Sequence, residues 1–203
     1  MVGCREKPQT LTLKEKAEGG DAEAQGMLGF EYETKQDLKE AVKWYRKAAE
    51  QGDSSTQVDL GLMYYEGRGV KQDFKEAAKW FRKAAEQGEA FSQSFLGEMY
   101  SEGQGVEQDF KEAIKWHQKA AEQGDAGGQF RLGFMYYNGK GVLEDDVTAY
   151  AWLNIAQANG SKNAKEGKDL IAKAKKMSPE QFAKAEELSK EMIKKNPKLI
   201  QKK

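Results

Sequence analysis

The chain has 203 residues, 33 basic and 33 acidic side chains, one cysteine, three prolines and a mean hydropathy of −0.86. A single cysteine excludes an intrachain disulfide framework, no apolar run reaches membrane-span length, and no secretory apolar core is visible near the start. The 21 aromatic residues recur in register, which excludes a disordered chain, and three prolines leave room for long helices.

Met1-Val2-Gly3-Cys4 is similar to the end of a bacterial lipoprotein signal, where a lipidated cysteine follows a small residue, but no hydrophobic segment precedes it. As written, the chain reads as cytoplasmic. A trimmed N terminus would place it in the periplasm or cell envelope, with a membrane involved only if Cys4 is lipidated in a longer precursor. Residues 1–20 are expected to be an extension ending in a short polar capping helix, Gln9–Glu18.

Four tryptophans follow at a fixed interval: Trp44, Trp80, Trp116 and Trp152 are each 36 residues apart. A period of this size marks stacked copies of one supersecondary unit, whose surface is mostly binding surface. The copies span 21–52, 53–88, 89–124 and 125–160. The first lacks four residues between Tyr32 and Trp44, so its inter-helix loop is shorter.

Each copy reads as two antiparallel helices. In the second copy Phe74, Ala77, Ala78, Phe81, Ala84 and Ala85 form one stripe of a 3.6-residue period, widened by Trp80. Asp73 with Glu76 three residues on predicts a capping box, and Gly88 a left-handed stop. Glycine then meets an acidic residue directly (Gly52-Asp53, Gly88-Glu89, Gly124-Asp125), a joint tight enough to force neighbouring pairs side by side. The first helices carry Leu28, Leu60, Leu96 and Leu132, each followed by glycine, then a tyrosine three residues later. Small alanines let helices approach while Trp and Tyr fill the wedges.

After Gly160 the pattern decays. Ala164, Leu170, Ile171 and Ala174 continue an apolar stripe, Ser178-Pro179 starts a last helix, and Phe182, Ala185, Leu188 and Met192 share its inner face. Residues 161–203 therefore read as a degenerate repeat and a basic capping helix, with 13 Lys against 6 acidic residues. Such an excess is a solvated helix face or a handle for an acidic partner or anionic lipid.

The run A-x-x-x-L-G-x-M-Y-x-x-G-x-G-V-x-x-D-F-x-x-A-x-x-W-x-x-K-A-A-x-x-G resembles the Sel-one-like repeat, a relative of the tetratricopeptide repeat, and the Met-Ser-Pro-Glu-Gln segment near the end is similar to the tail of many bacterial members. The resemblance implies an all-α fold, a right-handed α-solenoid of antiparallel helix pairs, whose concave side binds a protein or peptide. Bacterial members commonly act as adaptors. The expected role is a non-catalytic scaffold, acting as a monomer, without metal, cofactor or nucleic acid. The alternative is a β-lactam-binding or β-lactamase-like hydrolase, as described for cysteine-rich members; the single cysteine here weakens that transfer.

In related arrays the groove is lined by one face of the first helices. Here that face varies between copies: Glu23, Gly26, Phe30, Glu33; Ser55, Val58, Leu62, Tyr65; Phe91, Ser94, Glu98, Ser101; Gly127, Phe130, Phe134, Tyr137. A solvated face has no need of so many rings. The candidate groove residues are Phe30, Val58, Leu62, Tyr65, Phe91, Glu98, Phe130, Phe134 and Tyr137. Phe130 and Phe134 fit packing within a helix pair equally well.

Catalytic chemistry has few candidates. His117, the one histidine, aligns with Tyr45, Phe81 and Leu153 on an apolar stripe and reads as a packed histidine. Asp145 and Asp146 could attract a cation, but Asp145 is a helix-cap position. Gly67-Arg68-Gly69 and its equivalents lack the strand and spacing of a phosphate loop and read as helix-ending glycines. The basic tail lacks the interleaved aromatics of a single-strand nucleic-acid groove.

Overall fold

A computed structural model describes residues 11–201, which fold into eleven α-helices without a strand. Cys4 lies outside the described residues. The fold is all-α, of the α-solenoid class built from antiparallel helix pairs. Its contacts divide into two compact units, Met1–Asp73 and Phe74–Lys203. The first holds α1 (Leu13–Glu18), α2 (Ala22–Thr34), α3 (Leu38–Glu50) and α4 (Ser54–Glu66). The second holds α5 (Phe74–Glu86), α6 (Ala90–Glu102), α7 (Phe110–Glu122), α8 (Ala126–Asn138), α9 (Asp146–Ala158), α10 (Ala164–Lys175), α11 (Pro179–Lys195) and a closing 3-10 turn (Pro197–Leu199).

The joints form for local reasons. Gly52, Gly88, Gly124 and Gly160 take φ of 97°, 102°, 86° and 87°, a left-handed turn that only glycine adopts without strain. Asp21, Asp53 and Asp125 then cap α2, α4 and α8 by accepting from the Ala24, Thr56 and Gly128 amides at 2.8, 2.8 and 2.6 Å. The second helices are capped by Asp37, Asp109 and Asp145. In α3 and α7 the Glu40 and Glu112 carboxylates pair forward with Lys43 and Lys115.

Close packing rests on two glycine columns. A Cβ on Gly29, Gly97 or Gly133 would lie 2.6, 2.8 or 2.9 Å from the side chains of Tyr45, His117 or Leu153, so each first helix presses its backbone onto that position of the second. A Cβ on Gly69, Gly105 or Gly141 would lie 2.3, 2.0 or 2.5 Å from the carbonyl oxygens of Leu38, Phe74 or Phe110. The second loop glycine therefore does more than follow a helix end: it seats the loop on the start of the preceding second helix.

A glutamine ladder, unread in the sequence, ties each copy to the one before it. The buried Gln25, Gln57, Gln93 and Gln129 donate through Nε2 to the carbonyls of Ala17, Ala49, Ala85 and Ala121 at 3.0 to 3.1 Å. These are late carbonyls of the preceding helix, which lack an intrahelical partner. The Gln25, Gln93 and Gln129 oxygens accept in turn from Gln51, Gln123 and Asn159, each at 2.8 Å. Burial of the Gln25, Gln93 and Gln129 amides is thus compensated at both the nitrogen and the oxygen. Because Ala17 in α1 serves Gln25 as Ala49 serves Gln57, α1 presents to α2 the end of a second helix.

The tryptophans are 2–8% exposed, with Lys47, Lys83 and Lys119 ammonium groups 3.9, 4.3 and 4.0 Å from the Trp44, Trp80 and Trp116 ring centroids. At the fourth copy the equivalent residue is Ile155, and Trp152 and Ile155 share one apolar cluster with Leu199. The Leu199 carbonyl accepts from Gln129 at 2.8 Å and Asn159 at 2.5 Å. The C-terminal turn thereby covers the end of the ladder. Two stripe residues of α10 face solvent, contrary to expectation: Leu170 is 50% exposed and Ala174 is exposed, while Ala164, Gly167 and Ile171 are buried. Gly167 sets this rotation, because a Cβ there would touch Phe134 at 3.0 Å and Leu153 at 3.3 Å.

Candidate functional site

In the first unit Phe30 of α2 is 62% exposed, and Val58, Leu62 and Tyr65 of α4 are half-buried. Phe30 borders a depression of about 370 Å³ with Met27, Tyr45 and Asp59. The Tyr45 hydroxyl donates to Glu33 at 2.7 Å, and Arg68 donates to the other Glu33 oxygen at 2.7 Å. Burial, then the Glu33 hydrogen bond and nearby carboxylates, push the Tyr45 phenol well above its ordinary range. Burial, then the charges of Glu33 and Asp53, push the Asp59 carboxyl up to about 6.

In the second unit Phe91 of α6 is 48% exposed. It joins Phe95 and the buried Phe81, with ring centroids 5.6 Å from Phe95 and 6.5 Å from Phe81, and Phe95 stacks on Phe81 at 4.6 Å. Phe95 lies one column outside the face drawn from the sequence; its signal was its place four residues after Phe91. On α8, Phe130 and Phe134 stand 4.9 Å apart and Tyr137 is 6.2 Å from Phe134. All three are partly buried against Ala149, Leu153, Ile171 and Met177. Phe130 and Phe134 therefore pack on the core with one side and line a cavity with the other.

That cavity, about 430 Å³, lies among α6, α7 and α8. Glu98 pairs with Arg131 across it, joining α6 to α8. The Lys140 ammonium sits 5.3 Å from the Phe110 ring centroid at its border. His117, 1% exposed, also lines it. Neither imidazole nitrogen has a hydrogen-bond partner in the protein. Burial, and secondarily the Arg131 charge, hold the His117 pKa down to about 3, so the ring is neutral.

Elsewhere the basic end is partly engaged within the chain. Lys175 pairs with Glu144 and Asp146, and Lys168 donates to Gln157 while lying 5.0 Å from the Tyr150 ring centroid. Asp145 accepts from the Thr148 amide as a cap. Among the described residues, no group of three or more His, Cys, Asp or Glu is placed to hold a metal. No described helix is long and apolar enough to cross a membrane.

Comparison with known proteins matches four segments, 22–53, 54–89, 90–125 and 126–161, to the family described as the Sel1 repeat. The chain is 32% identical to a Sel1 repeat protein from Oxalobacter formigenes of known crystal structure, with a TM-score of 0.72 over 83% of this chain and 74% of that one. It is 33% identical to a protective antigen of uropathogenic Escherichia coli that displays an SLR fold, with a TM-score of 0.60 over 92% of this chain; it spans about half, 49%, of that protein. Cysteine rich protein B of Helicobacter pylori is 28% identical, with a TM-score of 0.52 over 64% of this chain and 93% of that one. Comparison with functionally curated proteins gave no match.

Proposed function

The chain belongs to the Sel1 repeat family, whose members are in general non-enzymatic protein-interaction scaffolds, and we propose that it holds a peptide or protein segment on the variable face of its first helices. One observation carries this reading. The recurring leucine–glycine pairs of α2, α4, α6 and α8 are buried, whereas Phe30 and Phe91, on the face that changes between copies, stand 62% and 48% exposed. Isolated exposed rings are ordinary; here each borders other ring or apolar side chains, Met27 and Tyr45 in one unit and Phe95 in the other. Val58, Leu62 and Tyr65, and separately Glu98, Phe130, Phe134 and Tyr137, extend the same face within their units. In this reading residues 1–20 and 161–203 close the two ends, and catalysis plays no part.

The test replaces Phe30 and Phe91 with serine, which empties no core because both are surface rings. Affinity capture from the native cell should lose its partner, an affinity drop of at least tenfold, while circular dichroism keeps the helical signal. Undiminished capture by the folded variant removes the reading.

A further inference from the structure

Four copies offer four occupants for one niche. Tyr45, Phe81, His117 and Leu153 align, and all are at most 2% exposed. Phenylalanine and leucine bring no polar atom to it. Tyr45 directs its hydroxyl to Glu33. His117 alone of the four brings polar atoms that the protein leaves without a partner, at both nitrogens. A buried imidazole without partners destabilises the fold and gains nothing inside the chain. Its return lies in what enters the cavity it lines.

The other walls limit what that is. Phe110, Phe130 and Phe134 supply apolar faces, and Glu98 and Glu102 balance Arg131 and Lys140, leaving no net charge to attract an ion of either sign. A carboxylate would compete with Glu98 for Arg131 and could not donate to the imidazole. An ammonium would compete with Arg131 for Glu98 and could not accept. A neutral imidazole offers one N–H and one lone pair, so a neutral group that both donates and accepts, carried on a flat apolar body, fits best. A phenol has that composition.

We infer that this cavity receives a tyrosine side chain of a bound peptide, its ring against Phe130 and Phe134 and its hydroxyl on the His117 imidazole. The inference rests on the scaffold reading above and names the partner's anchoring residue. The two nitrogens are closed to solvent, so the hydroxyl is admitted by a side-chain rotation, and Arg131, 46% exposed, is the long wall residue with room to turn.

The single histidine makes the test direct. The full chain, without a histidine tag, is labelled with ¹⁵N-histidine and titrated with p-cresol and with toluene. The expected result is movement of the imidazole resonances with p-cresol and about tenfold tighter binding of p-cresol than of toluene, the effect of one net hydrogen bond. His117→Phe carries the residue that the second copy uses in this niche, so it should fold. It should bind both probes equally. Equal affinities in the wild type, absence of binding, unmoved imidazole resonances, or a p-cresol preference retained by His117→Phe each overturn the inference. Partner capture separates this from the broader reading: capture that needs Phe30 and Phe91 but ignores His117→Phe keeps the scaffold and removes the tyrosine, whereas capture indifferent to Phe30 and Phe91 removes the scaffold while the p-cresol titration still decides the cavity.

Discussion

Tyr45 in the first unit and His117 in the second occupy the same place in the repeat and live by different chemistry. Each is pressed by the glycine of its partner helix, Gly29 or Gly97, and each is almost fully buried. Tyr45 reaches the variable face and finds Glu33 there. At the position of Glu33 the third copy has Ser101, which makes no hydrogen bond with the shorter imidazole. The repeat frame thus decides where a side chain goes, and the variable face decides whether its polar end is answered. A frame position left unanswered is where a ligand gains most.

The comparison breaks or sharpens at several points. The largest effect belongs to what the two units share: Trp44→Ala and Trp116→Ala should each lose roughly 3–5 kcal/mol in chemical denaturation, because both rings fill a wedge between buried alanine and leucine. Unequal losses would show that the frames are not equivalent. Next, Tyr45→Phe strands a partly buried carboxylate and should cost about 1–2 kcal/mol, with Arg68 holding the rest of Glu33 in place. His117→Phe in the same assay should gain up to about 1 kcal/mol, since it removes two unanswered polar atoms. A loss there would mean that the imidazole is answered in the folded chain.

The pH dependence separates the two units as well, and its two effects run in opposite directions. His117 has its folded pKa at about 3 against an ordinary 6.5, so the unfolded chain takes up the proton first and stability falls as pH drops from about 6.5 toward 3. Asp59 has its folded pKa at about 6 against 3.8, so the folded chain takes up the proton first and stability rises as pH drops through about 6 toward 3.8. His117→Phe should abolish the first slope and Asp59→Asn the second, read as denaturation midpoints between pH 3 and 7. An unchanged slope in either variant contradicts the corresponding burial.

Much of the frame was legible because it is periodic. The 36-residue tryptophan interval, the glycine–acid joints and the alanine stripes each state one physical requirement several times. The glutamine ladder is just as periodic, yet an amide on a helix reads as solvated until its carbonyl partner is known, and that partner lies eight residues back across a turn. The face of α10 was misjudged because Gly167, not Leu170, meets Phe134, and hydropathy gives glycine no weight. The docking of Leu199 beyond Pro197 depends on Asn159, one atom group shorter than the glutamines at its column, a substitution whose meaning appears only beside the returning chain. Within the candidate face, Phe130 and Phe134 were undecided from spacing because their rings serve core and cavity together.

Photo-cross-linking from a benzoylphenylalanine placed at position 91 or at position 115 puts the binding face to trial most directly. Position 91 lies on the variable face of a first helix, and Lys115 on the outer face of a second helix. Cross-linking of the native partner from position 91 and none from position 115 is the result expected; capture from position 115 with none from position 91 would place the partner on the other side of the helix pairs and contradict the account.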